Sequence, residues 1–313
     1  MNDILVLDGA ATAAALAPHR LMSAVADALV AVARDHVSAP PRIAAFAPGG
    51  LLGAMPGYVP GLGLAAKLVS VFADPDRPGR STHRGIVALF DSEDGRPLAV
   101  MDAEPITAWR TAAAATHSAL ALARPGPAVV VGTGAQARAQ VSLLASLRPA
   151  EPVTVAGRDH AAARATAGLH PAGRAVDSIE AAVREATTVY CCTGATRPVL
   201  RRHWLAPGTH VSSVGGSHGP ELDPETVRDA ALFTEWPGAA TTPPPSGAHE
   251  LQGLPTDRAV TLLGSVLSGD APGRRSPDEL TVFKSTGHAA LDVAAAYVVH
   301  RTVTGGFTED PLP

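Results

Sequence analysis

Cysteine is almost absent: Cys191 and Cys192 are the two in 313 residues. Neighbours on a strand point to opposite faces, so this pair neither bridges readily nor converges on a metal. It reads as buried strand filler in a reducing compartment. Aromatic residues make up 4% and charged residues 17%, with a formal net charge of −4. Without a basic stripe and interleaved aromatics, nucleic acid is not an expected partner. Long apolar runs are missing too, for no stretch approaches the roughly 20 residues that span a bilayer. Asp3 near the start and Pro18, His19 and Arg20 further on argue against a signal peptide, so no membrane partner is expected. The 12 histidines are scattered, with no His-x-x-x-His pair beside an acid, so no metal is expected. What remains is a cytoplasmic globular chain, 46% apolar, of a length that suggests two domains.

Apolar spacing predicts a helix from about Leu21 to Arg34, with Met22, Val25, Leu29 and Val32 on one face. Gly- and Pro-broken short runs follow from Ile43 to Val71. Ile86–Phe90, a turn at Asp91-Ser92-Glu93-Asp94-Gly95 and Pro97–Met101 read as a β-hairpin. The first hundred residues thus have an α+β pattern. A helix is predicted over Thr107–Ala123 with Thr107 as N-cap, stopped by Pro125-Gly126-Pro127. Strands at Ala128–Val131, Val153–Ala156, Val189–Thr193 and His210–Val214 then alternate with helices to about Leu147 and over Ala161–Ala167, the pattern of a parallel sheet wound on both faces. Pro237–Gly247 reads as an aperiodic loop, and Ala289–Val303 as a helix.

Gly132-Thr133-Gly134-Ala135-Gln136-Ala137 follows a strand and opens a helix, the context a dinucleotide fingerprint needs. The first glycine allows the tight turn, the second lets the backbone approach a pyrophosphate, and Ala137 lets helix and strand pack closely. The next strand ends at Gly157-Arg158-Asp159, where an acid would accept from an adenosine ribose hydroxyl. Glycine followed by a guanidinium suits a 2′-phosphate instead. NADP(H) is therefore the expected cofactor; NAD remains the alternative if Arg158 is a solvated turn residue and Asp159 takes the ribose.

Ile106-Thr107-Ala108-Trp109-Arg110-Thr111-Ala112-Ala113, Leu122-Ala123-Arg124-Pro125 and the glycine loop together resemble the ornithine cyclodeaminase/mu-crystallin family. So do Met55-Pro56, Lys67, Pro97-Leu98-Ala99, Pro207-Gly208-Thr209-His210, Val214-Gly215-Gly216, Glu221-Leu222-Asp223 and Thr281-Val282-Phe283-Lys284-Ser285, in order from about residue 40 to residue 300. The resemblance implies a Rossmann-type parallel-sheet domain inserted into an α+β domain for substrate binding and dimerisation, and a homodimer. Its boundaries would be 1–112 for the first part, 113–285 for the dinucleotide domain and 286–313 for a returning C-terminal helix. It also implies hydride transfer between nicotinamide and the carbon–nitrogen bond of an α-imino or amino acid.

Carried over by position, Arg42 and Arg110 would grip the substrate carboxylate, and a guanidinium fork suits that task. Lys67, unusual inside an apolar run, would relay a proton or stabilise charge. Met55, Ser217 and Thr286 fall among the substrate-binding positions. Thr82, Arg110, Gly132, Thr133, Gly134, Ala135, Gln136, Gly157, Arg158, Thr193, Val211, Ser212, Val214 and Ser285 fall among those that contact the cofactor. His83 reads as structural.

One departure bears on the reaction. After Val214-Gly215-Gly216 the cyclodeaminases carry an aspartate taken as an acid/base, and this chain has Ser217, which cannot act as a carboxylate base. The expectation is an imine (ketimine) reductase or amino-acid dehydrogenase. The alternatives are an ornithine cyclodeaminase-like lyase with bound NAD, with His218 as a substitute base, and a catalytically idle protein that binds NADP and a small ligand.

Overall fold

The computed structural model describes residues 4–73, 81–216 and 218–307. The chain divides into two compact units, the first of residues 1–110 and 288–313 and the second of residues 111–287. The first contains β1 (Leu5–Leu7), α1 (Gly9–Ala15), α2 (Pro18–Ala33), β2 (Ile43–Ala47), β3 (Gly50–Val59), β4 (Gly63–Ala73), β5 (Ser81–Phe90) and β6 (Pro97–Asp102). Helix α3 (Ala103–Leu122) carries the division between Arg110 and Thr111. The second unit continues with β7 (Ala128–Val131), α4 (Ala135–Leu147), β8 (Val153–Ala156), α5 (His160–Ala167), β9 (Gly173–Val176), α6 (Ile179–Arg184), β10 (Thr188–Cys191) and β11 (His210–Ser213). It ends with α7 (Pro224–Asp229), β12 (Ala231–Thr234), α8 (Gly238–Thr241), β13 (Val260–Leu262), α9 (Leu263–Leu267) and β14 (Thr281–Lys284), after which α10 (Ala289–Val303) belongs to the first unit.

The six strands of the first unit lie in the order β1-β6-β5-β4-β3-β2, antiparallel except where β1 meets β6. Residues 43–71 are thus not broken short runs but two long strands and an edge strand. Glycine and proline are tolerated there for local reasons. A Cβ on Gly57 would stand 3.0 Å from Ala289 Cβ, so the glycine admits α10 onto this face. Pro56 lies beyond Ala54, where β2 stops pairing with β3. Tyr58 N–H bonds Ser38 on that same side, so by strand alternation the N–H that Pro56 lacks would have met no strand.

Alternation gives the sheet two unlike faces. One cross-strand row runs Met55, Lys67, Val87 and Met101, all buried. A row of the opposite face runs Ile43, Ala54, Leu68 and Ile86, and Ile43 is 69% and Ile86 41% exposed. Helix α3 begins at Ala103, four residues before Thr107, which excludes Thr107 as N-cap; Asp102 Oδ1 instead accepts from Glu104 N–H at 2.8 Å.

The second unit is an eight-stranded sheet in the order β13-β12-β14-β11-β10-β7-β8-β9, with every pair parallel. Core packs on both faces: Val129, Val131 and Cys191 belong to one buried cluster, Val130, Tyr190 and Cys192 to the other. Both cysteines are free thiols whose pKa burial pushes well up. A polar seam crosses this interior, with Ser118 Oγ 3.0 Å from His210 Nε2 and His210 Nδ1 2.9 Å from Thr281 Oγ1. Burial, with Arg274 adding to it, lowers the His210 pKa to about 3, so the ring is neutral. The order of strands turns back at β7, with β8 on one side and β10 on the other. A ligand crevice forms at such a switch point, outside the carboxyl ends of the strands. Residues 237–247 are not wholly aperiodic, since α8 occupies their first part. Among the described residues no single helix is long and apolar enough to cross a membrane.

Candidate functional site

Lys67 is placed by β4, on the face that α10 covers, and is 5% exposed. Its amine needs a partner there, because an isolated buried charge is very costly. The partner is Asp292 on α10, itself 1% exposed, whose Oδ2 lies 2.8 Å from Lys67 Nζ. The other oxygen, Oδ1, accepts from Arg110 Nε at 3.1 Å, and Arg110 is also 5% exposed. One carboxylate thus holds two cations, with Arg42 and His288 within electrostatic reach.

The directions of the pKa shifts follow from this sharing. Burial lowers the Lys67 pKa, Asp292 pulls it back, and Arg110 and Arg42 push it down again, so the amine ends below its ordinary value. Burial alone would raise the Asp292 carboxyl; Lys67 and Arg110 together outweigh it and hold the group below the usual carboxylate range. The asymmetry is one anion between two cations. His288 is lowered to about 4, chiefly by burial, with Arg110 and Arg42 adding and Asp292 opposing, so it is neutral at physiological pH. Such a group of cations suits a carboxylate ligand, and an amine whose pKa is lowered gives up its proton more readily than an ordinary lysine.

Sequence reasoning missed Asp292. Its signal was an acid inside the apolar run Ala289–Ala296, the same kind of anomaly that marks Lys67. Met55, also expected in the site, is the cross-strand neighbour of Lys67 on β3 and is buried. Thr82 lies on β5, and its side chain, like all of Ser217, falls outside the described residues.

In the second unit the glycine loop links β7 to α4. Gly132 has φ +123°, and a Cβ there would strike the Cys192 carbonyl. Gly134 is the N-cap of α4, offers no side chain to cap it, and has nothing within 4 Å of where its Cβ would be. The opening amides of Ala135 and Gln136 therefore lack a side-chain cap beneath an open cradle, the arrangement that binds a phosphate at a helix N-terminus. These residues fit a dinucleotide.

Beside the loop, Gly157 would place a Cβ 2.8 Å from Thr133 Cγ2. Arg158 is exposed, and Asp159 caps α5, accepting from Ala161 and Ala162 N–H at 2.9 and 3.1 Å. Thr193 donates both N–H and hydroxyl to Glu221 Oε1 at 2.7 Å. Ser285 Oγ and the N–H groups of Thr286 and Gly287 all bond Glu235 Oε1, and Thr286 Oγ1 accepts from Trp236 Nε1 at 3.0 Å. Glu221 and Glu235, which organise these strand ends, were not legible as site residues. Val214 follows β11, partly buried. Val211 is in the core and Ser212 Oγ lies 2.9 Å from Ser118 Oγ, so the side chains of both face the interior and leave only backbone groups for a ligand. Among the described residues no three His, Cys, Asp or Glu side chains group to hold a metal.

A parallel sheet with an uncapped glycine-loop helix at its switch point, in one chain with a buried guanidinium–amine–carboxylate cluster, defines a dinucleotide-binding protein of the class that handles small carboxylates. The profile of the ornithine cyclodeaminase/mu-crystallin family matches residues 5–306, and the chain belongs to that family. It is 34% identical over 263 residues to the ketimine reductase mu-crystallin of Mus musculus, covering 82% of each chain. Among solved structures it is similar to Thermococcus litoralis Δ1-pyrroline-2-carboxylate reductase in complex with NADH and L-proline, with TM-score 0.83, 26% identity, and 97% and 98% of the two chains covered. It is also similar to an archaeal alanine dehydrogenase dimer with bound NAD, with TM-score 0.81, 28% identity and 99% of each chain covered.

Proposed function

We propose that this protein is an NADPH-dependent reductase of the carbon–nitrogen double bond in a small α-imino acid, run in reverse as an amino-acid dehydrogenase. The observation that carries this is the buried Asp292, Lys67 and Arg110 cluster, with Arg42 in electrostatic reach. The similarity to a ketimine reductase and to a pyrroline-2-carboxylate reductase supports the reading.

The dinucleotide supplies the hydride. Arg42 and the Nη groups of Arg110 bind the substrate carboxylate, because two forks match two oxygens and fix the plane of the adjacent imine. Arg110 is oriented by its Nε bond to Asp292. Lys67 donates a proton to the imine nitrogen as the α-carbon accepts hydride, converting C=N to CH–NH, and is reprotonated from solvent. Its lowered pKa makes that transfer less uphill than from an ordinary lysine. Met55, Thr286 and Ser217 would serve substrate binding by their family positions. Gly132 to Gln136 would hold the pyrophosphate and Thr193, Val214, Ser285 and the backbone of Val211 and Ser212 the rest of the cofactor, a role that Thr82 would share by its family position.

NADPH is favoured over NADH by what stands at the end of β8. Gly157 offers no acid, Arg158 is exposed and able to meet a 2′-phosphate, and Asp159 is taken up as the cap of α5. The first unit serves substrate binding and dimerisation and the second serves the dinucleotide. The uncovered apolar sheet face, with Val6 75%, Ile43 69% and Leu52 49% exposed, would be buried against a second copy. The free thiols Cys191 and Cys192 suit a cytoplasmic location.

The test is to follow oxidation of NADPH, and separately of NADH, on a panel of cyclic imino acids and of α-keto acids with ammonia or a small amine. L-ornithine with NAD is the control for cyclodeamination. NADPH-selective turnover of an imine with ornithine inert is the expected result. Release of proline and ammonia from ornithine would replace this reading with a lyase that has found another base.

A further inference from the structure

The chain has two lysines, Lys67 and Lys284, and the second lies in a buried ionic group of its own in the second unit. Lys284, at the end of β14, is 1% exposed. Its Nζ donates to Ser213 Oγ at 2.9 Å and to the Gly215 carbonyl at 2.8 Å, and pairs with Glu250 Oε1 at 3.1 Å. Ser213 Oγ in turn donates to Glu221 Oε2 at 2.7 Å, and Gly215 N–H donates to the same oxygen at 2.8 Å. The other oxygen of Glu221 takes Thr193 N–H and hydroxyl at 2.7 Å and the Cys191 thiol at 3.3 Å. Glu250 Oε1 also accepts Glu221 N–H at 3.2 Å.

Glu221, one fully buried carboxylate, therefore ties the loop after β10 to the loop after β11, and Lys284 ties both to the end of β14. The fit is close enough to dictate Gly215-Gly216. A Cβ on Gly215 would collide with the Thr193 carbonyl and the Glu221 carboxylate, and one on Gly216 would stand 2.7 Å from Lys284 Nζ.

We infer that Glu221, Ser213 and Lys284 are positioning residues for the nicotinamide half of the dinucleotide, acting through the loops at Thr193 and Gly215-Gly216. The inference rests on the dinucleotide-binding reading above. A dinucleotide whose pyrophosphate lies on the α4 N-terminus after β7 extends its adenosine toward β8 and its nicotinamide toward β10 and β11. The clamp acts on the second side and touches none of the residues at the end of β8. Its loss would loosen one half of the cofactor and leave the other alone, an effect that a general loss of fold cannot imitate.

The experiment compares Glu221→Gln and Ser213→Ala with the unmodified protein, using titrations of NADPH and of 2′,5′-ADP, which carries the adenosine side alone. Glutamine presents one acceptor where the glutamate presents two, so either the Thr193 or the Gly215 group meets an N–H₂. Ser213→Ala removes one small bridging hydroxyl and keeps a measurement available if Glu221→Gln does not fold. The expected result is NADPH binding weaker by at least about tenfold in Glu221→Gln and about threefold in Ser213→Ala, with 2′,5′-ADP within about twofold of the unmodified protein. Unchanged NADPH affinity in the folded variants, or an equal weakening of both ligands, would overturn the clamp. Failure of the unmodified protein to bind either ligand would instead overturn the dinucleotide reading itself.

Discussion

Replacing Asp292 by asparagine removes the carboxylate that holds both Lys67 and Arg110, each 5% exposed. The amide is nearly isosteric, so the change is one of charge: two buried cations are left facing each other, with Arg42 also in reach. Breaking a buried ion pair by removing one partner costs about 3–5 kcal/mol, far more than an exposed pair of the same geometry. Here the loss has an outlet. Asp292 is what supports the Lys67 pKa against burial, Arg110 and Arg42, so in Asp292→Asn the amine sheds its proton at lower pH. An unfolded chain still binds that proton up to the ordinary lysine value. Stability of the variant therefore rises with pH between the two pKa values, by about 1.4 kcal/mol per pH unit for the one proton. The unmodified protein, whose Lys67 is lowered less, gains in the same way only above its own higher folded pKa, so the gap between the two should be wider at pH 7 than at pH 9. Urea unfolding at both pH values measures this, and the basic limb of kcat/KM should move to lower pH in step. A cost below about 1 kcal/mol at pH 7, with the basic limb unmoved, would refute the shared-carboxylate argument.

The buried neutral His210, with its pKa at about 3, predicts an acid limb in stability. Between that value and the ordinary 6.5 the unfolded chain binds a proton that the folded chain refuses, so stability falls with falling pH. His210→Gln should lessen that slope, by about 0.7 kcal/mol per pH unit at pH 6.5 rising to about 1.4 near pH 5 in urea unfolding, and equal slopes would exclude the histidine as its source. Gly157→Asp should weaken both NADPH and NADH, because its Cβ meets Thr133 Cγ2 at 2.8 Å. Adding Thr133→Ala should restore NADH binding and not NADPH, and a Gly157→Asp protein that keeps its NADPH preference would dismiss this account of specificity. The double change Leu52→Asp with Ile86→Asp puts two charges on the uncovered sheet face and should give a folded monomer by sedimentation. A wild-type monomer, or an unchanged dimer in the variant, would remove the apolar face as the dimer contact.

The alternating part of the chain was the most legible. Strands at Ala128–Val131 and Val153–Ala156 and the helix Ala289–Val303 have the bounds that apolar runs and their stops implied. The segment 43–71 was read as broken because glycine and proline normally interrupt strands. Gly57 is in fact the place where α10 approaches, and Pro56 lies on an unpaired side. Thr107 looked like a cap, yet the helix begins at Ala103 and takes Pro105 into its first turn, where the missing N–H costs no intrahelical bond. The weak strands β9 and β13 have partly exposed, mixed sequences that carry no period. In the site, Lys67 stood out as a charge in an apolar run, and the same test applied to Leu291-Asp292-Val293 would have found its partner. Glu221 and Glu250 lie in polar surroundings in the sequence, and only the parallel sheet brings them to Lys284.

The fate of the transferred hydrogen tests hydride transfer to an imine most directly. NADPH carrying deuterium at both C4 positions of the nicotinamide would be turned over with a cyclic α-imino acid, and the product examined by mass spectrometry and proton NMR. One deuterium is expected at the α-carbon of the product amino acid, lost from the dinucleotide in equal amount, and none when Lys67 is replaced by methionine and turnover stops. A product without deuterium, or label retained by the dinucleotide while ornithine is converted to proline, would exclude hydride transfer to an imine carbon.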